Sequence, residues 1–240
     1  MRFMGLAKRN FKEMFLDYLS LGLAIAFPPV LLLILSPIGR LESSFTPTNL
    51  APGIALFGFV MLQFSSAMIL AKDRDSAFLS RLLTAPLRAN DFISAYSLPY
   101  IPVALIQMVL IFALAALLGL EITGNLGLVF LVLFIMSMGY IGLGMVAGSL
   151  FTYKQVPGFY TAVLLLTIFS GAWFDLAVFG SVFQSIMNVF PFAHALDATR
   201  DVVVNGVGFS DIAIDFYWVL GYTLVFFTLG IFLFRRRMVE

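Results

Sequence analysis

Six long apolar runs constrain this sequence more than any other feature. They lie at about 19–38, 52–71, 98–120, 126–150, 157–179 and 214–234. Each has roughly the 20 residues that an α-helix needs to cross a bilayer. A chain in lipid must satisfy its own backbone hydrogen bonds, so runs of this length predict helices. Only 11% of the residues are charged, against about 25% in a typical soluble domain. The sequence therefore predicts an all-α integral membrane protein, with six transmembrane helices in a single domain over residues 1–240.

The Lys and Arg residues predict which connections share a side of the membrane. The N-terminus has four, the 72–91 loop four, the 151–156 turn one and the C-terminus three. If the chain weaves through six spans, these 12 of the 14 basic residues lie together, and Arg40 and Arg200 lie opposite. Basic residues are enriched in cytoplasmic loops. Both termini and the 72–91 loop are therefore predicted to be cytoplasmic.

Residues 1–18 have the pattern of an amphipathic helix. Apolar residues recur there at helical spacing, and the charged residues lie between them. The apolar set is Phe3, Ala7, Phe11, Met14, Phe15 and Tyr18, and the charged set is Lys8, Arg9, Lys12 and Glu13. We expect a helix in the plane of the membrane interface. The alternative is a basic flank that only sets the topology of the first span.

The 72–91 loop carries seven charged residues in 20 positions and contains a second amphipathic segment, Ser76–Ala85. Ten residues cannot cross a bilayer, and Pro86 ends any helix there. The apolar stripe of this segment consists of Phe78, Leu79, Leu82, Leu83 and Pro86. A stripe of this kind is typical of a helix that docks into a groove of a soluble partner. The alternative is that the segment lies on the lipid surface.

Residues 180–213 are too long for a turn and too mixed in character for a span. Ser181–Phe190 is apolar on one side, Pro191 breaks it, and Asn205-Gly206 is a helix stop. We expect two short helices that enter the outer leaflet and return. His194, Asp197 and Asp201 share one face, and Arg200 is spaced to pair with Asp197. The spacing of these residues allows a cation site, but a solvated polar face explains the same residues and is the favoured interpretation.

Glycines in the fourth run predict close helix packing. Gly144 and Gly148 form a small-xxx-small pair, which lets two helices approach closely. A phosphate-binding loop is the alternative interpretation of a glycine-rich run, but a run at membrane depth without an adjacent strand or lysine does not fit it.

Several chemistries are missing from the sequence. No glycine is followed by lysine, so the chain has no P-loop of its own. It has no cysteine and one histidine, which excludes zinc sites with several such ligands. The runs contain almost no charge apart from Asp175 and Asp215 near their outer ends, unlike a typical ion-driven carrier. The chain is therefore expected not to be an enzyme, and the energy for transport must come from a partner. Two other classes stay open here: a stand-alone channel or carrier, and a membrane enzyme that uses His194 or Asp197 on lipid.

Two stretches resemble the ABC-2 type transporter permeases. In DRDSAFLSRLLTAPLRANDFISAY, Asp73-Arg74 matches the acidic–Arg pair of the family, and Leu82 to Leu87 matches its Leu-Leu-x-x-Pro-Leu core. Ser76-Ala77 departs from the Gly-Thr step of the family. The stretch PFAHALDATRDVVVNG resembles the segment before the last span, with Pro191 and Arg200 at the expected places.

The resemblance implies a permease subunit without its own ATPase. Two permease chains would pair as a homodimer or with a sister subunit, and two separate ABC ATPase subunits would bind ATP and Mg. Residues 1–18 would be the connecting helix, Ser76–Ala85 the coupling helix, the turn at Lys154 a smaller contact, and 180–213 an outer re-entrant gate. The implied coupling residues are Asp73, Arg74, Phe78, Leu79, Arg81, Leu82, Leu83 and Pro86. The implied gate residues are Pro191, His194, Asp197 and Arg200.

The resemblance also implies export across the plasma or inner cell membrane. The expected substrate is apolar or amphipathic: a drug, antibiotic, peptide or lipid-like molecule, with a polysaccharide or lipid-linked glycan as the alternative. Aromatic and methionine side chains suit varied apolar ligands. The residues expected along the substrate path at a dimer interface are Met61, Gln63, Phe64, Met68, Phe169 and Trp173. Alternatively, these side chains face lipid or neighbouring helices.

Overall fold

The helix at the centre of the structure is the glycine-rich one. The computed structural model describes residues 4–76, 88–173 and 179–239, and these contain helices and no β-strand. In chain order the helices are α1 (Met4–Leu16), α2 (Tyr18–Leu35), α3 (Pro47–Asp75), α4 (Ala89–Ser97), α5 (Tyr100–Leu117), α6 (Leu126–Leu150), α7 (Val156–Thr167), α8 (Ser181–Met187), α9 (Pro191–Arg200) and α10 (Phe209–Val239). Helix α6 packs between α3 and α10.

Within the described ranges, five helical segments are long and apolar enough to cross a membrane. They are Leu21–Arg40, Pro47–Asp75, Asn90–Leu117, Leu126–Leu150 and Phe209–Arg236. They confirm the prediction of an all-α, multi-pass membrane protein. The predicted fifth span corresponds to a shorter apolar helix, Val156–Ala172, and the rest of that prediction, including Asp175, lies outside the described residues.

Helix α7 runs beside α3 from one end of the bundle to the other. Val156, at its start, packs in one cluster with Ala67 and Ala71 of α3. At the other end α7 continues as a π-helical turn, Ile168–Ala172, whose last carbonyl lies against Gly53 of α3. This turn ends where Gly171 adopts a φ of 96°, a left-handed conformation that favours glycine.

The predicted glycine contact is confirmed. A Cβ atom at Gly148 would lie 2.8 Å from Cβ of Leu70 and 2.9 Å from the carbonyl oxygen of Ala67. At Gly144 a Cβ atom would collide with the hydroxyl of Ser66 and with the backbone of Gln63. The missing side chains therefore let the backbones of α3 and α6 come together.

The two ends of the bundle differ in charge. We call the basic end the end formed by α1, the C-terminus of α3, α4, the 151–155 turn and the C-terminal turns of α10. Several contacts hold it together: the backbone N–H of Tyr153 donates to Asp75 at 2.8 Å, and Phe92 of α4 packs on Phe234 of α10. The far end carries Arg40, Glu121 and Arg200. The predicted grouping of the basic connections agrees with this arrangement, and the assignment of the basic end to the cytoplasm stays a prediction.

The 180–213 region contains two short helices, as the pattern predicts. Helix α9 begins with Pro191 at its first position and continues as a π-helical turn, Asp201–Asn205. Gly206 ends it with a φ of 68°, in agreement with the predicted stop. Most of α9 is buried, and Phe192 packs on Tyr140 of α6 with ring centroids 5.2 Å apart.

Candidate functional site

A buried ion pair joins three helices at the basic end. Arg9 of α1 forms a bidentate contact with Asp73 near the end of α3, with Nη2 to Oδ1 at 3.0 Å and Nη1 to Oδ2. Tyr96 of α4 donates its hydroxyl to the same Oδ2 at 2.6 Å. The side chain of Asp73 is only 4% exposed, so these donors replace the water that it has lost. Arg9 also pairs with Glu13 at 2.7 Å.

Arg9 keeps its positive charge in this network. Burial works to lower the pKa of Arg9, but the hydrogen bond and the charge of Asp73 outweigh burial and raise that pKa. Beside Arg9, the amide of Asn10 donates to the carbonyl oxygen of Ala95 at 3.2 Å. Helix α1 is therefore attached to α3 and α4 by its polar face. Leu6, Ala7 and Met14 of α1 are buried as well, while its Phe11 and Phe15 are exposed.

Arg74 caps the C-terminus of α6 with its side chain. Its guanidinium donates to the carbonyl oxygens of Ser149 and Phe151, the latter at 2.7 Å. Carbonyls in the last turn of a helix have no partner within the helix and carry partial negative charge. The resemblance assigns Asp73 and Arg74 to contact with an ATPase. In the structure these two neighbouring residues instead contact other helices of the same chain.

The remaining predicted coupling residues lie outside the described residues. They are Phe78, Leu79, Arg81, Leu82, Leu83 and Pro86. The described flanks of this segment are the Asp73 network on one side and α4 on the other. Helix α4 begins with a capping box, in which the backbone N–H of Arg88 donates to Asp91 at 2.9 Å.

The predicted substrate-path residues fall into different surroundings. Phe64 packs on Tyr160 of α7 with ring centroids 4.7 Å apart, and the hydroxyl of Tyr160 lies 3.4 Å from the sulfur of Met61. Phe64 and Met68 are half-buried along the seam between α3 and α7. Gln63 differs, because its side chain is fully buried and neither amide atom has a hydrogen-bond partner in the described parts of the chain.

The other two path residues lie near the far end. Trp173 packs on Phe57 of α3 at 5.3 Å, and its indole N–H is buried without an acceptor among the described residues. Phe169 is 38% exposed and forms edge-on contacts with Phe179 and Phe183. The structure therefore does not bring the six residues into one patch within a single chain.

His194 of the predicted gate lies between two acceptors. Its Nδ1 is 2.5 Å from Asp215 of α10, and its Nε2 is 2.8 Å from the carbonyl oxygen of Asn188. A carboxylate and a carbonyl both accept, so a protonated imidazole donates from both ring nitrogens here. Burial lowers the pKa of His194, but the hydrogen bond from His194 to Asp215 outweighs burial and raises it. The ring of Trp218 lies 5.1 Å from this imidazole.

Asp197 and Arg200 complete the predicted gate. Loss of solvation raises the pKa of Asp197 to about 6, against the opposing charge of Arg200. Arg200 donates to the carbonyl oxygens of Gly171 at 2.8 Å, Ala172 at 3.1 Å and Asn49 at 3.2 Å. It therefore joins α9 to the ends of α7 and α3. No group of three or more potential metal ligands occurs in the described parts of the chain.

Comparison with known proteins decides the family. The family model of the ABC-2 type transporters matches residues 1–204. The chain belongs to the ABC-2 type transporter family. ABC transporter G family member 20 of Dictyostelium discoideum is 26% identical to it over 186 residues. The match covers 73% of this chain and 25% of that relative, so the chain spans about a quarter of the relative's length.

Membership of the ABC-2 family makes the chain a membrane component of an ABC transporter. The family corresponds to the permease and not to the ATPase. The resemblance based on two short stretches is thereby confirmed, as is the membrane class. The individual coupling, path and gate roles stay predictions for this ABC-2 protein.

Sequence reasoning missed the partners of its own candidate residues. It placed Arg9 on the charged side of an interfacial helix and did not connect it with Asp73 or Tyr96. It treated Asp215 as the edge of a span and not as the partner of His194. No local pattern links Arg9 with Asp73, which lie 64 positions apart. The one available signal was Asp73 itself, an acidic residue just after the predicted 52–71 span, where a carboxylate needs a partner.

Proposed function

We propose that this ABC-2 protein is the permease subunit of an ATP-driven exporter for an apolar or amphipathic substrate. The observation that carries the proposal is the buried ion pair of Arg9 and Asp73, with the hydroxyl of Tyr96. It joins α1, α3 and α4, and α3 and α4 flank the predicted coupling segment. A force on that segment would thus reach α1, α3 and α4 together.

The proposed topology has six spans with the basic end in the cytoplasm. The course of α7 supports the sixth span, because it connects the two ends that α3 also connects. Together with the π-helical turn that continues it, α7 has 17 residues, Val156–Ala172, which cover about 25 Å at 1.5 Å per residue. That length is close to the roughly 30 Å hydrocarbon core of a bilayer.

The proposed assembly has two permease chains and two ABC ATPase subunits in the plasma or inner membrane. ATP and Mg would be bound by the ATPase subunits, since this chain contains no glycine followed by lysine. The half-buried aromatic and methionine seam of α3 and α7, with Met61, Phe64 and Met68, supports a dimer interface that also contacts the substrate. Export and the class of substrate are part of the proposal.

The test is co-purification with a candidate ABC ATPase from the same organism. Leu82→Glu and Leu83→Glu place a charge in the apolar stripe of the coupling segment, so we expect them to abolish co-purification and coupled ATP turnover. Leu41→Glu is the matched control, because Leu41 is 90% exposed at the far end. If the ATPase fails to co-purify with the unmodified chain, or if Leu82→Glu and Leu83→Glu have no more effect than Leu41→Glu, the docking model is wrong.

A further inference from the structure

A cavity of about 410 Å³ lies between α1, α2, α3 and the start of α5, at the basic end. Along α3 its lining extends from Lys72, which directly follows the apolar run 52–71, to Leu62. These ten positions cover about 15 Å at 1.5 Å per residue. Half of a hydrocarbon core of roughly 30 Å is also about 15 Å. The cavity therefore has the depth of one leaflet, from the polar surface to the middle of a bilayer.

The polarity of the lining changes along this depth. At the basic end the lining includes Lys72 and two acidic residues, Glu13 and Asp17. Deeper in the bundle it is apolar, with Leu62 and Ala24 at most 2% exposed. A phospholipid has the same order of groups, with a charged headgroup at the surface and hydrocarbon chains below. Because ligand pockets typically have about 300 to 1,000 Å³, a cavity near the lower limit suits one acyl chain and not a whole lipid.

Lys72 is the residue of the lining that can bind a phosphate. Its side chain is exposed, and its ammonium has no hydrogen-bond or ion-pair partner among the described residues. An ammonium binds phosphate oxygens as a point charge. The two acidic residues already have contacts of their own, because Glu13 pairs with Arg9 at 2.7 Å and Asp17 also interacts elsewhere. We therefore assign no part of the ligand to Glu13 or Asp17.

Tyr100, the first residue of α5, lies just below this charged level. It lines the cavity and is 2% exposed, and its hydroxyl has no hydrogen-bond partner in the described parts of the chain. The hydroxyl interacts electrostatically with Glu13 and Asp17, which places it near the charged end of the cavity. A buried hydroxyl without an acceptor is uncommon. In a phospholipid, the acceptor next below the phosphate is an ester carbonyl, which would satisfy this hydroxyl.

We propose that this cavity binds one acyl chain of a zwitterionic phospholipid, with the phosphate at Lys72 and an ester carbonyl at the hydroxyl of Tyr100. A headgroup without net charge is favoured because the described lining holds two acidic residues against one lysine, and these repel a net negative charge. The lipid is a resident component from the leaflet at the basic end and not a transported molecule, so the inference does not depend on export. It fills the space where α1 and α2 meet α3.

Native mass spectrometry of the delipidated chain measures the binding of single lipids. The probes are palmitoyl-oleoyl phosphatidylethanolamine, phosphatidylglycerol with the same chains, and a phosphatidylethanolamine with ether-linked chains. We expect the ester-linked phosphatidylethanolamine to bind more tightly than phosphatidylglycerol. Lys72→Gln should weaken its binding about threefold. Lys154→Gln is the matched control and should leave the affinity unchanged, because Lys154 is an exposed lysine of the same end that does not line the cavity.

The proposed hydrogen bond is tested from both of its sides. Tyr100→Phe removes the donor and should weaken the ester-linked phosphatidylethanolamine about fivefold. The ether-linked lipid has no carbonyl acceptor, so it should bind the unmodified chain more weakly by a similar factor. Tyr100→Phe should then leave the ether-linked lipid unaffected.

Two further variants separate this cavity from the lipid that surrounds any membrane protein. Ser65 lines the cavity, so Ser65→Phe fills it and should abolish saturable binding. Ser185→Phe makes the same change at an exposed position of α8 and should preserve binding. Each variant is compared with the unmodified chain by size exclusion and by the thermal unfolding midpoint without lipid. If Ser65→Phe alters folding, the Lys72→Gln and Tyr100→Phe comparisons decide.

The proposal is overturned if Lys72→Gln and Lys154→Gln have equal effects on affinity, or if a correctly folded Ser65→Phe variant leaves binding intact. It is also overturned if Tyr100→Phe has equal effects on the ester-linked and ether-linked lipids. Tighter binding of phosphatidylglycerol would contradict the zwitterionic headgroup. These measurements need no ATPase, so failure here with intact ATPase docking would leave the permease function standing.

Discussion

At the scale of single residues, the arginines of this membrane protein join helices to one another. Arg9, Arg74 and Arg200 each donate to groups on other elements: a carboxylate, the carbonyls that end α6, and the carbonyls that end α7. The carbonyls that Arg74 and Arg200 contact at the ends of α6 and α7 lie where backbone carbonyls have no partner within their own helix. These arginines therefore hold the ends of the bundle, because the planar guanidinium presents several donors in a fixed geometry and is weakly hydrated.

Removing the carboxylate of Asp73 should destabilise the basic end. Asp73→Asn leaves Arg9 without its buried partner, and breaking a buried pair costs about 3–5 kcal/mol. We expect the lower end of that range, because Glu13 still pairs with Arg9. Tyr96→Phe removes only one hydrogen bond and should cost about 1 kcal/mol. The measurement is the free energy of unfolding in denaturant titration.

Asp75→Asn is the control for Asp73→Asn. Asp75 lies two positions away with a side chain 37% exposed, so its loss should cost less than about 1 kcal/mol. Equal effects of Asp73→Asn and Asp75→Asn would contradict the role of the buried pair.

The His194 pair predicts how stability depends on pH. The folded state raises the pKa of His194 above its ordinary value of 6.5, so its contribution is complete below 6.5 and is lost as pH rises through the raised pKa. The unmodified chain should therefore lose its advantage over His194→Gln as pH rises above 6.5 and through the raised pKa. The measurement is the difference in thermal unfolding midpoint between the two proteins in a series of buffers of increasing pH.

Asp197 titrates in a separate window. The pKa of Asp197 is raised to about 6 in the folded state. Any stability that it contributes at acid pH is therefore lost as pH rises from about 4 to about 6, and its contribution is constant above pH 6. The side chain remains partly open to solvent, which makes this contribution the smaller one. A pH dependence above 6.5 that persists in His194→Gln would show that another group is responsible.

At the scale of elements, the seam between α3 and α6 decides how closely the bundle packs. Three glycines of α6, Gly139, Gly144 and Gly148, face other helices so closely that a methyl group would meet a neighbouring atom within 3 Å. Lipid offers no hydrophobic drive for association, so close van der Waals packing has to supply it. The seam therefore holds the helix that carries Asp73 and Arg74 against the centre of the molecule.

Adding a methyl group in this seam should separate the helices. Gly144→Ala meets the Ser66 hydroxyl and the Gln63 backbone, and overpacking of this kind costs about 1–3 kcal/mol. Gly221→Ala in α10 has no atom of the described residues within 4 Å of the new methyl group and should be neutral or stabilising. Unfolding free energies compare the two, and a neutral Gly144→Ala would contradict the close approach of α3 and α6.

At the scale of the whole molecule, the basic connections meet at one end although they are spread over the chain. There the Asp75–Tyr153 hydrogen bond joins the end of α3 to the 151–155 turn, the Arg9–Asp73 ion pair joins the N-terminal helix to α3, and the Phe92–Phe234 contact joins α4 to the end of α10. The far end is built from the 36–46 and 118–125 connections and α9. This difference in basic residues between the two ends favours a single orientation of the chain in the membrane.

Site-directed labelling tests that orientation directly. The chain has no cysteine, so Lys154→Cys and Glu121→Cys introduce single thiols at exposed positions of opposite ends. In intact cells a membrane-impermeant maleimide should label the Glu121→Cys variant and leave the Lys154→Cys variant unlabelled until the membrane is opened. Labelling of both variants from outside, or of the Lys154→Cys variant alone, would contradict the proposed topology.

The amino-acid pattern by itself determined the helices, their membrane class, the grouping of basic loops, the glycine seam and the stop at Gly206. Each of these follows from local spacing or composition. In a chain this apolar, long runs form helices whatever their neighbours, because the backbone must satisfy its own hydrogen bonds in lipid. The pattern also placed the short helices of 180–213, because Pro191 and Gly206 act on their own backbone. The family resemblance rested on two such local stretches.

The tertiary structure alone decided which charges meet and where a cavity remains. Arg9 and Asp73 are 64 positions apart, and His194 and Asp215 are 21 apart, so no helical period relates them. Gln63 was expected along a substrate path at a dimer interface, and within the single chain it is fully buried because the close approach of α3 and α6 encloses it. Tyr100 and Asp17 share a cavity only because α1, α2 and α5 converge on α3. Contacts of this kind depend on how helices are placed in space, and a one-dimensional pattern carries no distance between them.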